Sequence, residues 1–170
     1  MTQSYRESHL NRGTDYDEGW NTIPHRAMMW RLEQRALDSI FASAGKAGFQ
    51  NYLDFACGTG RMLGFLGKYA QSVTGVDISP SMLEVARTRA PAAELICGDL
   101  TREPLLAGRQ FDVISAFRFF PNAEPELRRD RVAQAHALQP AAAAQAADPA
   151  EQEVVGVARA VPVEEPGADA

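Results

Sequence analysis

The stretch LDFACGTG, residues 53–60, decides the fold of this chain. Apolar residues flank Asp54 at its start, and its end holds two glycines, Gly58 and Gly60, separated by one residue. Glycine has no Cβ, so the backbone here can turn tightly and come close to a ligand. A helix beginning at Arg61 would direct its N-terminal amides at the turn, which favours an anionic group there. The stretch predicts a strand, a glycine turn and a helix, and by itself it fits a turn without a ligand equally well.

Apolar periodicity alternates on both sides of this turn. The predicted elements are a helix over Pro24–Ala44, a strand over 52–56, a helix over 61–70, a strand over 73–76, a helix from Pro80 to about Ala90 capped by Ser79, strands over 94–97 and 111–117, and a helix from Pro125. The apolar face of the first helix is expected to hold Met29, Leu32, Ala36, Leu37, Ile40, Phe41 and Ala44. This alternation is typical of an α/β fold, with a doubly wound, mostly parallel sheet of strand order 3-2-1-4. In such sheets ligands bind at the carboxyl ends of the strands.

Acidic residues follow the second and third predicted strands. Asp77 comes 19 residues after Gly58, where a carboxylate can accept hydrogen bonds from two ribose hydroxyls and would repel a 2′-phosphate. Asp99 follows the third strand and could accept a hydrogen bond from the exocyclic amine of adenine. Each acid alone fits a solvated turn. Their recurrence at successive strand ends indicates a nucleoside site.

The glycine spacing weighs against a dinucleotide as the ligand. The dinucleotide fingerprint is G-x-G-x-x-G or G-x-G-x-x-A. Counted from Gly58, the second glycine is correct, but the third position is Leu63, and Gly64 comes one residue late. A nicotinamide-dependent oxidoreductase is therefore the weaker alternative.

Several segments together resemble class I S-adenosylmethionine (SAM)-dependent methyltransferases. LDFACGTG at 53–60, VDIS at 76–79 and GDL at 98–100 resemble the first three motifs of that family, and FDVI at 111–114 resembles its fourth strand. The resemblance covers roughly residues 49–120 and implies a Rossmann-like core with SAM as the cofactor. It implies that the methionine moiety is contacted by Asp54 and by the backbone of Ala56, Cys57, Gly58 and Gly60. It also implies that Asp77 contacts the ribose and that adenine is contacted by Ile78, Asp99 and Leu100. Ala56 stands where many members have glycine, which is a mild departure from the pattern.

The N-terminal arm, predicted over residues 1–22, is rich in aromatic and imidazole side chains. In methyltransferases of the resembled type this segment often folds over the cofactor, which makes Tyr16 or Trp20 a candidate lid residue. Packing of the aromatic residues onto the sheet is the alternative that stays open. The three histidines are scattered, so we expect no metal site, and no general base can be named.

Composition changes sharply near Asp130. Residues 131–170 hold 14 alanines, four prolines and no aromatic residue. We therefore expect a SAM-binding domain over residues 23–139 and a low-complexity, poorly ordered tail over 140–170. The family's fifth strand and antiparallel pair have no clear counterpart, so the fourth strand is expected to be an open edge unless Val154–Val161 docks beside it. The change suggests truncation, or a reading-frame change downstream of residue 130.

Charge and hydropathy restrict the classes of function that the chain can have. The chain has 170 residues, 45% of them hydrophobic, and a net charge of −5, which argues against a nucleic-acid binder. It has no apolar run of about 18 residues and no secretory signal, so we expect a cytoplasmic protein without a membrane span. Cys57 and Cys97 would lie about 9–10 Å apart across three strands, so both are expected to be free thiols. The leading hypothesis is methyl transfer from SAM to an unidentified small molecule, and the alternative is a SAM-binding but inactive module.

Overall fold

A five-stranded sheet organises the computed structural model of the chain, which describes residues 17–19, 22–42, 49–117, 119, 125–140 and 157–159. The strand order is β3-β2-β1-β4-β5, with β1 to β4 parallel and β5 antiparallel to β4. The elements are α1 Pro24–Ala42, β1 Phe49–Phe55, α2 Arg61–Leu66, β2 Ala70–Asp77, α3 Pro80–Arg89, β3 Glu94–Cys97, β4 Val113–Ser115, α4 Pro125–Ala137 and β5 Val157–Arg159. The predicted α/β class and the 3-2-1-4 order are confirmed.

The central strand β1 packs on both faces, as expected for a parallel sheet covered by helices. Leu53 and Phe55 contribute to one apolar cluster, together with Leu106 and Phe111. Tyr52 points to the opposite face and joins a second cluster formed largely by residues of α1 and α2. The carboxyl end of β1 is therefore fixed from both sides.

Several element boundaries differ from their predictions. The strands predicted over 52–56 and 73–76 each begin three residues earlier, at Phe49 and Ala70. The strand predicted over 111–117 is formed only at Val113–Ser115. Before it, the amide of Phe111 donates to the carbonyl of Leu138, and the carboxylate of Asp112 accepts from the amides of Gln50 and Asn51. The helix predicted over 61–70 ends as an α-helix at Leu66 and continues as one 3₁₀ turn, Gly67–Tyr69.

The buried stripe of α1 is rotated from the predicted apolar face. Met29, Leu32 and Ile40 are exposed, at 43%, 54% and 41% of their surface. Leu37 and Phe41 are buried as predicted, and Trp30 packs edge-on against Phe65 and Phe117. Ala36 is exposed as well. The prediction for these four residues is wrong because periodicity counts apolar positions, whereas the buried stripe is set by the neighbours that the helix meets. Ala44 lies outside the described residues.

The edge of β4 is covered at three residues. Val113, Ile114 and Ser115 pair with Arg159, Ala158 and Val157. The expectation of an open edge is therefore wrong at these residues, and Val157–Arg159, the described part of the alternative segment Val154–Val161, pairs there. Residues 141–156 and 160–170 lie outside the described part of the chain, so the tail predicted over 140–170 otherwise stays a prediction. Among the described helices, none is long and apolar enough to cross a membrane.

Candidate functional site

The turn after β1 is built from left-handed residues. Ala56, Gly58 and Gly60 have φ angles of 58°, 53° and 74°. The amide of Cys57 donates to the carbonyl of Val76 at 3.1 Å, and the amide of Gly60 donates to the carbonyl of Cys57 at 2.9 Å. Left-handed backbone is unfavourable for residues with a Cβ, so alanine at position 56 is more strained than the sequence suggested.

The two glycines of the turn have different surroundings. A Cβ placed on Gly58 would meet no heavy atom within 4 Å, so open space lies beside this residue. A Cβ on Gly60 would lie 2.9 Å from the Cβ of Ala86 in α3. Gly58 therefore leaves room for a ligand, whereas Gly60 allows α3 to pack closely against the turn.

Asp77 joins the ends of β1 and β2. Its Oδ2 accepts from the amide of Gly58 at 2.8 Å, and its Oδ1 accepts from the amide of Ser79 at 2.9 Å. Both carboxylate oxygens thus accept from backbone amides beyond the ends of the two strands. Ser79 caps α3 as predicted, since its hydroxyl accepts from the amide of Met82 at 3.4 Å.

Asp54 lies in a buried hydrogen-bonded chain beneath the turn. The Ser115 hydroxyl donates to Asp54 Oδ1 at 2.5 Å, and Ser115 Oγ lies 2.7 Å from the hydroxyl of Tyr52. Burial raises the pKa of Asp54 from its ordinary value of 3.8 to about 7; the nearby charge of Asp77 adds to the rise and the Ser115 hydrogen bond opposes it. The carboxyl group can therefore change protonation state near neutral pH.

Asp99 and Leu100 are held within their own turn. Asp99 Oδ1 accepts from the amide and the hydroxyl of Thr101, at 2.9 and 2.5 Å, and Oδ2 lies 3.8 Å from Arg102 Nε. The side chain of Leu100 is buried in the apolar core. Leu100 can thus reach a ligand only through its backbone, which the sequence could not show.

Cys57, Ile78 and Cys97 lie at the same edge of the sheet, at or just beyond the ends of β1, β2 and β3. Cys57 is buried, and burial raises the pKa of its thiol well above the ordinary value. Cys97 is exposed at the end of β3, with its Sγ 3.9 Å from the carbonyl oxygen of Ile78. The prediction that both cysteines are free thiols is confirmed. In the described ranges, no group of three or more His, Cys, Asp or Glu residues could hold a metal ion.

The N-terminal arm contacts this region through a residue that the sequence analysis did not select. Residues 17–19 are helical, and Asp17 lies against Thr59 of the turn and Arg89 of α3. The candidate lid residues Tyr16 and Trp20 lie outside the described residues. Sequence gave no signal for Thr59 or Arg89, because a threonine between glycines and an arginine in the last turn of a helix are both ordinary.

A methyltransferase-domain family model matches residues 53–141, which include the turn, Asp77 and Asp99. The chain belongs to this family. The family predicted from the strand-end motifs is thereby confirmed. The matched segment of this methyltransferase-domain protein begins in β1 and includes β2, β3, β4 and α4.

Relatives and solved structures agree with the assignment. A dTDP-4-amino-2,3,4,6-tetradeoxy-D-glucose N,N-dimethyltransferase of Saccharopolyspora spinosa is 41% identical over 71 residues, covering 41% of this chain and 27% of the relative. CalS10, a SAM-bound amino pentose methyltransferase of Micromonospora echinaspora, is 30% identical at a TM-score of 0.54, over 65% of this chain and 47% of that one. The DhpI–SAH complex has the same fold at 21% identity, with a TM-score of 0.63 over 82% of this chain and 66% of that one. The chain spans only 22% to 36% of the length of curated relatives that it matches.

Proposed function

We propose that this chain binds SAM at the carboxyl ends of β1, β2 and β3, and that the protein transfers the SAM methyl group to a small-molecule acceptor. The observation that carries the proposal is the open turn at Gly58, whose amide is held by Asp77 at 2.8 Å. This arrangement lets a nucleoside approach the backbone while a carboxylate stands at the end of the adjacent strand.

The charges at this edge favour SAM over a dinucleotide. Asp77 and Asp99 lie at or just beyond strand ends, and SAM carries a sulfonium and an ammonium group whereas a dinucleotide carries an anionic pyrophosphate. Leu63 stands where the dinucleotide fingerprint requires glycine or alanine, which also weighs against a dinucleotide. The acidic edge thus supports a cationic ligand.

Each of the site residues has a proposed contact with one part of SAM. Asp77 accepts from the ribose hydroxyls, Ile78 packs on adenine, and Asp99 accepts from the adenine amine, with Leu100 contributing only its backbone. The backbone of residues 56–60 faces the methionine moiety, where Gly60 shapes the turn, and Asp54 lies near this moiety but buried beneath the turn. Tyr16 is proposed as a lid residue.

Bound SAM supplies the reactive methyl carbon, and the protein contributes alignment and exclusion of water. The acceptor is proposed to be a small molecule. We further propose a division into an arm at 1–22, a cofactor domain at 23–139 and a tail at 140–170. A cytoplasmic location agrees with the two free thiols.

Calorimetric titration of the purified chain with SAM, S-adenosylhomocysteine (SAH) and NAD tests the cofactor. We expect SAM and SAH to bind and NAD not to bind, with binding weakened by Asp77→Ala and unchanged by Glu84→Ala, an exposed acid on α3. Binding of NAD alone would overturn the proposal.

A separate assay follows transfer of an isotopically labelled methyl group from SAM to a panel of amine and hydroxyl acceptors, amino sugars included. Transfer of the label to an acceptor supports the proposed methyltransferase activity. SAM binding without transfer to any acceptor in the panel supports the alternative of a binding module.

A further inference from the structure

Arg89, at the end of α3, reaches back to the glycine turn. Its Nη1 donates to the carbonyl of Thr59 at 2.8 Å and contacts the Thr59 hydroxyl at 3.1 Å. The turn on which the proposed cofactor site depends is therefore held by a guanidinium group from another element.

The same guanidinium holds the N-terminal arm. Arg89 Nη2 lies 2.7 Å and 2.8 Å from the two carboxylate oxygens of Asp17, and the Thr59 hydroxyl donates to Asp17 Oδ1 at 3.2 Å. The side chains of Arg89 and Asp17 are only 26% and 17% exposed. Partial burial and charge-assisted hydrogen bonds make this pair stronger than an ordinary surface ion pair.

Gly64 provides the path for the Arg89 side chain. A Cβ at Gly64 would lie 3.0 Å from Cγ and 3.5 Å from Cδ of Arg89. This is the glycine that comes one residue late for the dinucleotide fingerprint. Its position is explained by the passage of Arg89 across α2.

We propose that Arg89 is a positioning residue for the cofactor: it fixes the Gly58 turn through Thr59 and docks the N-terminal arm through Asp17, so that arm docking and cofactor binding reinforce each other. The proposal rests on the proposed function, because the cofactor it positions is SAM. Coupling of this kind is reciprocal, so the cofactor must also stabilise the docked arm.

The first test compares the Kd of SAH for the parent, Arg89→Ala and Arg87→Ala. Arg87 is an exposed arginine one half-turn away on α3 and serves as the matched control. We expect Arg89→Ala to raise the Kd about tenfold or more and Arg87→Ala to leave it within about twofold. Asp17→Asn should have a smaller effect, because the Thr59 contact remains. The double variant Asp17→Asn with Arg89→Ala should have the same Kd for SAH as Arg89→Ala alone.

The second test distinguishes positioning from general stabilisation. Limited trypsin digestion, read by mass spectrometry, reports cleavage in the arm after Arg6 and Arg12. We expect SAH to slow this cleavage in the parent and not in Arg89→Ala, while urea unfolding identifies any variant that has simply lost stability. The exchanged pair Asp17→Arg with Arg89→Asp should recover part of the protection.

The outcomes separate the two proposals. A parent chain that binds no SAH removes the proposed function and the Arg89 role with it. A parent that binds SAH, together with a folded Arg89→Ala variant of equal affinity and equal arm protection, overturns only the role of Arg89.

Discussion

The Asp54→Asn variant should be more stable than the parent protein, and the difference should grow as the pH rises. Asp54 is buried, and its Oδ1 accepts the hydrogen bond from the Ser115 hydroxyl at 2.5 Å. Asparagine has nearly the same shape and keeps that acceptor, but it carries no charge. The substitution therefore removes a buried ionisation and little else.

The magnitude follows from the pKa of Asp54, which is raised from 3.8 to about 7 in the folded chain. Between these values the folded state holds a proton that the unfolded state has released, so the stability of the parent falls as pH rises through this range and levels off above about pH 7. At about 1.4 kcal/mol per pKa unit, the full loss is about 4 kcal/mol, of which about 3 kcal/mol falls above pH 5. Asparagine has no such dependence.

Urea unfolding of parent and Asp54→Asn at pH 5, 6, 7 and 8 measures the difference directly. The two proteins differ only at residue 54, so the contributions of groups that do not interact with it cancel in the difference between the two free energies of unfolding. We expect the advantage of the variant to grow by about 3 kcal/mol from pH 5 to pH 8. Asp38→Asn is the matched control: the pKa of this exposed acid is lowered by the Tyr69 and Lys68 hydrogen bonds, so its effect lies below this pH range. Parallel pH profiles for the parent and Asp54→Asn would refute the reasoning.

Three further predictions concern the turn, the ribose site and the sheet edge. Ala56→Gly should raise the free energy of unfolding by roughly 0.5–1 kcal/mol because it relieves left-handed backbone at φ 58°, and a lower value from urea unfolding would contradict this. Asp77→Ala should weaken SAM binding by about 1.5–3 kcal/mol in calorimetry, and unchanged affinity in a folded variant would remove Asp77 from the site. A chain ending at Gln139 should melt at a lower temperature than the full chain, because it lacks the strand paired with β4; equal melting temperatures would mean that the tail contributes nothing.

The strand ends were predictable because their signals are local. Gly58 and Gly60 mark a tight turn, and Ser79 followed by Pro80 marks a helix start, whatever the rest of the chain does. Alternation of strands and helices then restricts the sheet to few arrangements. The acid Asp77 could be placed at the ligand edge because the carboxyl ends of parallel strands share that edge.

Other features depended on contacts between residues distant in sequence. Asp17 and Arg89 are 72 residues apart, and only the folded chain brings their charges together. The stripe that α1 buries was also set by its neighbours.

The sequence by itself determined the α/β class, the strand order and the positions of the acids at the strand ends, since these follow from backbone preferences and apolar periodicity. Only the tertiary structure decided that Asp54 is buried with a raised pKa, that Leu100 faces the core, and that Val157–Arg159 covers β4. Burial, electrostatic surroundings and edge pairing are properties of the assembled fold, because each depends on groups that the chain brings together only after it has folded.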